Sequence, residues 1–343
     1  MKVSIIIPVF NVAPYIADCL RSVMRQTYTD NMECLIVDDC GTDDSIAIAE
    51  RMIADYEGPI RFQILHHERN RGLSAARNTG TEAATGEYLY YLDSDDEITE
   101  DCIERLMRQV TDYPDVEMVQ GNASRHLMGG GSVNLVKDVL VPFAETNEEV
   151  RRCFYQYRQI YVNVWNKLLK REFVVNNRIL CKEGLLYEDQ LWVFYLLKYL
   201  KKAAFVPDIT YHQKKRPNSI TTGTDLRTGG LNWCVIYREI LNNLTPGYEQ
   251  EEFGYYRKRI GHTYIKYVRD VPEFEEIFQL CRDKCKVYGS RSLQLWLAVC
   301  SVLGPLKYGR AIWNLMGWLI HPIVSSHSGF SIKFWNSHKS YYL

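Results

Sequence analysis

The segment YLYYLDSDDEI, Tyr88 to Ile98, runs through five apolar or aromatic residues and then meets Asp93, Asp95 and Asp96 within four positions. Carboxylates so close together repel, so a folded chain keeps them where water solvates them or where a cation sits among them. An Asp-x-Asp pair offers hard oxygen ligands suited to Mg²⁺ or Mn²⁺, ions that keep open positions for substrate phosphates. A solvated turn is the plainer reading of Asp-x-Asp alone, but its place after a fully apolar strand favours the cation. Two further acid pairs share this pattern: Asp38–Asp39 ends the apolar run CLIV, and Glu188–Asp189 opens the helical pattern QLWVFYLLKYL. Each has a structural alternative, helix capping for the first and first-turn dipole stabilisation for the second.

The elements that must position these groups alternate through residue 120. VSIIIPV, ECLIVDD, IRFQILHH, EYLYYLD and VEMVQG read as strands, separated by helices over Pro14–Arg25, Asp43–Tyr56, Leu73–Ala84 and Thr99–Thr111. Short continuous apolar strands between amphipathic helices predict an α/β fold with a mostly parallel sheet covered on both faces. Ligands of such sheets bind beyond the carboxyl ends of the strands. One rim therefore collects Asn11, Asp38 and Asp39, Asn70 and Arg71, and Asp93 to Asp96. HLMGGGSVNL, His126 to Leu135, reads as a turn rather than a phosphate loop, because its glycines open no helix. AAFVPDITYHQKKRPNSITTG reads as two final strands and a loop, with a boundary over Thr221–Gly230 and a helical, aromatic region beyond.

The 343 residues carry 41 basic and 42 acidic side chains, so no global field points to nucleic acid. The ten cysteines lie mostly in apolar stretches without a C-x-x-C pair, as expected of reduced core thiols in a cytoplasmic protein. The apolar run at the N-terminus is broken by Pro8 and reads as a first strand, not a signal peptide. Leu293–Val324 is the most apolar part of the chain, but Gly304, Pro305, Lys307 and Arg310 divide it into pieces shorter than the ~20 residues a spanning helix needs. It reads either as helices packed on the catalytic domain or as a hairpin lying on a membrane surface, with Arg291, Lys307 and Arg310 at headgroup level and Trp296, Trp313 and Trp318 in the aromatic belt. Peripheral membrane contact through residues 290–324 is the expectation adopted.

SIIIPVFN, LIVDDCGTDDS, NRGLSAARNTGTEAATGEYLYYLDSDD and EGLLYEDQLWVF follow one another in the order and spacing of the family 2 glycosyltransferases. The chain resembles that family over about two thirds of its length. The resemblance implies a GT-A fold, a Rossmann-like nucleotide-sugar-binding sheet over residues 1–222, with a nucleotide half (1–96), an acceptor half (97–222) and a helical region over 230–343. It implies inverting transfer of a sugar, usually from UDP, to an acceptor hydroxyl. Carried over residue by residue, it sets Pro8 and Asn11 at the nucleoside pocket with Asn70 on the same rim, Asp38 or Asp39 on the uracil, Asp93 on the ribose side, Arg77 facing the nucleotide and Asp95 as the main metal ligand beside Asp93. Asp189 becomes the base, with Glu188 orienting it or the donor sugar; a sugar hydroxyl needs such a carboxylate within hydrogen-bond reach. KKRPNSIT matches a closing loop whose basic residues and serine reach the diphosphate, here Lys214, Arg216 and Ser219. Lysine at 214, where the family more often has arginine, departs from a bidentate contact. His212 is an extra metal-ligand candidate against a satisfied strand histidine. Trp165 and Lys167 in VWNKL match an acceptor block, where an indole face suits a sugar ring; a core tryptophan is the alternative. His66 and His67 lack a third ligand near in sequence and are set aside as a metal site.

Rival classes fit less well. A nucleotidyltransferase needs a glycine-rich basic loop after the first strand, and a nicotinamide dehydrogenase needs G-x-G-x-x-G there; PVFNVAPY supplies neither. A degenerate carbohydrate-binding scaffold would not need the acids at 93, 95 and 189. The expectation is a Mn²⁺- or Mg²⁺-dependent hexosyltransferase of bacterial surface polysaccharide synthesis, using a UDP-sugar and a lipid-linked oligosaccharide at the inner face of the plasma membrane.

Overall fold

VSIIIPV forms β1 (Val3–Val9), and every residue of it is buried. The computed structural model of the protein describes residues 1–28, 31–126, 131–214, 224–289 and 291–303. β1 pairs in parallel with β2 (Met32–Asp38) on one side and β4 (Tyr88–Tyr91) on the other, and β3 (Arg61–His66) pairs in parallel with β2. α1 (Ile16–Met24), α2 (Ser45–Ala54) and α3 (Leu73–Ala83) connect these strands. Pro8 sits in this buried strand without breaking it. The carbonyl of Ile6 accepts from the amide of Leu92 on the β4 side, so Pro8, two residues on, directs its donorless nitrogen to where β4 has already ended.

The sheet continues through β5 (Glu97–Ile98), β6 (Met118–His126), β7 (Ser132–Asn134), β8 (Phe143–Ala144), β9 (Lys167–Lys170) and β10 (Ala203–Gln213). α4 (Cys102–Asp112), α5 (Asn147–Tyr155), α6 (Arg171–Asn176) and α7 (Glu188–Tyr199) lie between them. Its order is β3-β2-β1-β4-β9-β6-β10-β5, with β7 on β6 and β8 on β10. The parallel expectation holds for β3 to β4 and for β6 with β10, but β9 is wedged antiparallel between β4 and β6. Residues 203–213, expected as two strands, are one. Its register against β6 slips between Val206 and Ile209 and again before Tyr211, because Pro207 has no amide to donate and the chain bulges past it.

Two close fits hold the rim-bearing elements. A Cβ on Gly80 of α3 would meet Ile6 Cγ2 at 2.4 Å, so only glycine lets α3 lie this close to β1. Glu33 on β2 accepts from Lys2 Nζ and Ser4 Oγ, both at 2.6 Å, and from the Thr85 amide at 2.8 Å, fastening the starts of β1, β2 and β4. All ten cysteines are free and all but Cys40 are buried.

The chain divides into two compact units, Met1–Lys215 and Arg216–Leu343. The second contains α8 (Leu226–Asn242), α9 (Glu249–Tyr267), α10 (Phe274–Tyr288) and α11 (Arg291–Leu303). Its core is aromatic: Tyr264 stacks on Phe278 at 4.0 Å and Trp233 on Tyr237 at 5.1 Å. No helix among the described residues is long and apolar enough to cross a membrane. Of the proposed membrane-contact segment, only residues 291–303 fall within the described chain, as α11.

Candidate active site

β4 leaves the sheet at Leu92, and the Asp96 amide turns back to the Asp93 carbonyl at 3.0 Å. This tight turn brings ligand oxygens of Asp93, Asp95 and Asp96 within 4.8 Å of one another. Asp96 lies beneath, its carboxylate accepting from Tyr211 Oη at 2.6 Å and from the Lys214 amide at 2.8 Å. Burial, followed by the charges of Asp95 and Asp93, pushes the Asp96 pKa well above its ordinary 3.8. Asp93 and Asp95 are partly exposed above it. Such a cluster is costly as three charges and favourable around a divalent cation, and its all-oxygen donor set fits Mg²⁺ or Mn²⁺.

The second acid pair is joined to the first by Arg77, on α3. The guanidinium, 3% exposed, donates from Nη1 to Glu188 Oε1 at 2.5 Å and from Nη2 to Asp93 Oδ1 at 2.7 Å. The resemblance sets Arg77 facing the nucleotide; both of its terminal nitrogens serve ion pairs, one buried with Glu188 and one with the partly exposed Asp93. α7 begins at Glu188 behind Tyr187, which has φ 61° and gives no side-chain cap. Asp189 follows, partly buried in the first turn. Burial, then the Glu188 charge, raises its pKa from 3.8 to about 7, while Arg77 pulls the other way.

The Asp38–Asp39 pair braces the loops around it. Asp39, 2% exposed, accepts from His67 Nδ1 at 2.7 Å and from the amides of Arg71 and Gly72, both at 2.8 Å. Gly72 has φ 88°, which glycine tolerates and which lets its amide reach Asp39 before α3 starts. Asp38 accepts from the Cys40 amide at 3.0 Å and pairs with His66 Nδ1 at 2.9 Å. Asp39 thus accepts three donors from the protein's own loops, which position the carboxylate expected, with Asp38, near the uracil. The histidines set aside as a metal site are what hold these two acids. Asn11, at φ 50°, accepts from the Thr42 amide at 2.8 Å, and Asn70 is exposed on the loop after β3.

Other expected positions are corrected by burial. Trp165 is 2% exposed and stacks on Tyr211 at 4.2 Å, so it presents no face to a sugar; it supports the tyrosine that holds Asp96. Lys167 is fully buried, donating to the Asn163 carbonyl with its ammonium 4.0 Å from the Tyr161 ring centroid. Burial holds its pKa well below 10.5 against the pull of Asp189. The His212 ring is not part of the acid cluster and lies 5.8 Å from that of His126. Lys214 pairs with Asp18 at 3.2 Å and with Glu97. Arg216 and Ser219 lie outside the described residues. Sequence reasoning missed Tyr211 as the support of Asp96, and Asn78 and Arg71 as anchors of the segment before α7. Asn78 exchanges hydrogen bonds of 2.8 and 2.9 Å with the backbone of Cys181, and Arg71 pairs with Glu183 at 3.2 Å.

Comparison with known proteins identifies the fold and the family. The structure is similar to that of the Staphylococcus aureus protein TarS, residues 1–349 in complex with UDP-GlcNAc, with a TM-score of 0.63 at 20% identity over 91% of this chain and 92% of that one. It is also similar to the mannosyltransferase PcManGT from Pyrobaculum calidifontis in complex with GDP-Man and Mn²⁺, with a TM-score of 0.56 at 17% identity over 96% and 88% of the two chains. In sequence it is 30% identical over 278 residues to YibD of Escherichia coli (strain K12), described as an uncharacterized glycosyltransferase, covering 80% of this chain and 75% of that protein. The model of "Glycosyl transferase family 2" matches residues 4–172. With the GT-A sheet, the acid-rich rim and a relative aligned over most of both chains, the protein belongs to glycosyltransferase family 2.

Proposed function

We propose that the protein is an inverting glycosyltransferase that moves a hexose or N-acetylhexosamine from a UDP-sugar to a saccharide hydroxyl. The observation that carries this reading is the joining, through Arg77, of an acid cluster fit for a divalent cation to a second acid pair whose outer member, Asp189, has a pKa near neutrality. A carboxylate tuned to the working pH is matched to taking a proton from an alcohol. The acceptor oxygen attacks the anomeric carbon as its proton passes to Asp189, the bond from that carbon to the diphosphate breaks on the opposite face, and configuration inverts. Asp95 and Asp93 would hold Mn²⁺ or Mg²⁺, which when bound offsets the negative charge gathering on the departing diphosphate. Glu188 fixes the first turn of α7 through Arg77, and Asn70, exposed on the loop after β3, is read as a donor contact.

The UDP-GlcNAc complex of the structurally similar TarS supports a nucleotide-sugar donor, and the GDP-Man and Mn²⁺ complex of PcManGT supports a divalent cation. The acceptor is read as a lipid-linked oligosaccharide of bacterial surface polysaccharide synthesis at the cytoplasmic face of the membrane, approached through residues 290–324. The test is release of UDP from a panel of UDP-sugars with Mn²⁺ and a saccharide acceptor. Asp189→Asn should lower turnover by about 10²–10⁴-fold with donor affinity little changed; a variant keeping a tenth of the wild-type rate removes Asp189 from the base role.

A further inference from the structure

We infer that Arg77 is a positioning residue which makes the aim of the base conditional on the cation site: it ties the acid turn after β4 to the first turn of α7. The inference rests on the function proposed above. The loop that delivers α7 is tied to residues far from it in sequence. It passes through two left-handed residues, Gly184 at φ 71° and Tyr187 at φ 61°, and α7 starts without a side-chain cap. Its anchors come from α3, where adjacent residues grip both ends of the segment. Asn78 bonds the Cys181 backbone in both directions, and Arg77 takes Glu188. Between them Arg71, just ahead of α3, pairs with Glu183.

Arg77 differs from the other two anchors because its second nitrogen donates to Asp93, a member of the acid cluster. The planar guanidinium fixes the angle between its two donors, so a shift of Asp93 on taking up a cation is passed to Glu188 and hence to Asp189, the next residue. The guanidinium is nearly inaccessible and already paired at both ends, so this role does not compete with donor binding. An arginine that bound the nucleotide would instead be expected on the open rim with a free edge.

The test is Arg77→Lys in the full chain, which keeps one charge but cannot donate to both acids in a fixed fork. We expect kcat for UDP release to fall about 100-fold with the KM for the UDP-sugar nearly unchanged, the size of loss expected when a reacting group is slightly misplaced. In Arg77→Lys combined with Glu188→Gln the losses should not multiply, because both break one connection. A readout independent of turnover is amide exchange over residues 188–192. Adding Mn²⁺ with UDP should slow it in the wild-type protein and leave it unchanged in Arg77→Lys. A large rise in donor KM with kcat preserved would return Arg77 to nucleotide binding and overturn the inference. So would fully multiplicative losses, or equal slowing of exchange in both proteins. If Arg77→Lys does not fold, Glu188→Gln alone, which leaves Arg77 on Asp93, must show the same fall in kcat and the same loss of slowed exchange. Absence of Mn²⁺-dependent UDP binding in the wild type would count against the proposed function; binding without transmission to α7 would count against this inference alone.

Discussion

The pH dependence of turnover is where the site's electrostatics can be tested most directly. Burial and the Glu188 charge raise the Asp189 carboxyl from 3.8 to about 7, and a base accepts a proton only when deprotonated. The sign follows: a raised pKa keeps Asp189 protonated and idle on the acid side, so kcat/KM must fall as pH drops through about 7. For one ionisation the rate should be about half its plateau at pH 7, about nine-tenths at pH 8 and about a tenth at pH 6. The midpoint belongs to the Glu188–Asp189 pair rather than to one residue, which gives the second arm of the test. Glu188→Gln removes the neighbouring negative charge while leaving Arg77 in place, so the acid limb should move to lower pH even as the plateau falls. The assay is UDP release at low donor concentration across this range, at constant ionic strength and saturating Mn²⁺. A flat profile between about pH 5.5 and 8, or an acid limb that stays put in Glu188→Gln, would refute the assignment of Asp189 as the titrating base.

Three further perturbations separate construction from chemistry. Glu33 is held at about 2, because its bonds from Lys2, Ser4 and Thr85 outweigh the burial that would raise it from 4.5. This lowered pKa stabilises the fold above about pH 4.5 and is lost as pH falls through about 2, so Glu33→Gln should cost roughly 1–2 kcal/mol at pH 7 in denaturant unfolding and progressively less toward pH 2. Asp95→Ala should abolish the Mn²⁺-dependent part of UDP binding by calorimetry; unchanged binding would reject the metal assignment. Trp165→Phe should lower unfolding free energy by about 1–3 kcal/mol through lost packing on Tyr211 while leaving acceptor KM within about twofold. A large acceptor KM effect on an intact fold would restore Trp165 to the acceptor pocket.

Much of this molecule can be read from its sequence where the signal is local. β1, β2 and β4 are largely apolar runs, with Ser4 and Glu33 near the starts of the first two, and the turns after them carry the polar residues that a parallel sheet gathers on one rim, so residue order alone makes the acid cluster legible. What the sequence hides depends on distant partners. Arg77 finds its two acids 16 and 111 residues away, and nothing in SAARN distinguishes a buried fork from an exposed ligand-binding arginine. Asp39 accepts from a loop 32 and 33 residues downstream. β9 is only KLLK, too short for its alternation to declare a strand, and its place between β4 and β6 is set by the partners on either side. Trp165 illustrates the same limit in reverse, since an indole in a family block reads equally as a sugar platform and as the stack beneath Tyr211.

The paired acids then acquire a common logic. In Asp95–Asp96 and Glu188–Asp189, one member faces inward and is used for construction: Asp96 under Tyr211 and the Lys214 amide, Glu188 on Arg77. Its neighbour is left partly exposed on the rim. Adjacent side chains on a tight turn or at a helix start diverge, so a doublet lets one acid brace the backbone from which the other acts. In Asp38–Asp39 both members brace loops, Asp38 the Cys40 turn and His66, Asp39 His67 and the Arg71–Gly72 amides. The division has a measurable consequence. Asp96→Asn, which weakens a buried brace, should lower the thermal midpoint of the full chain, whereas Asp95→Asn should leave the midpoint near wild type and remove the rise produced by adding Mn²⁺ with UDP, because a ligand stabilises a fold only through the state that binds it. Equal midpoints for the two variants, or a Mn²⁺-dependent rise surviving in Asp95→Asn, would mean that brace and ligand have been assigned to the wrong members of the pair.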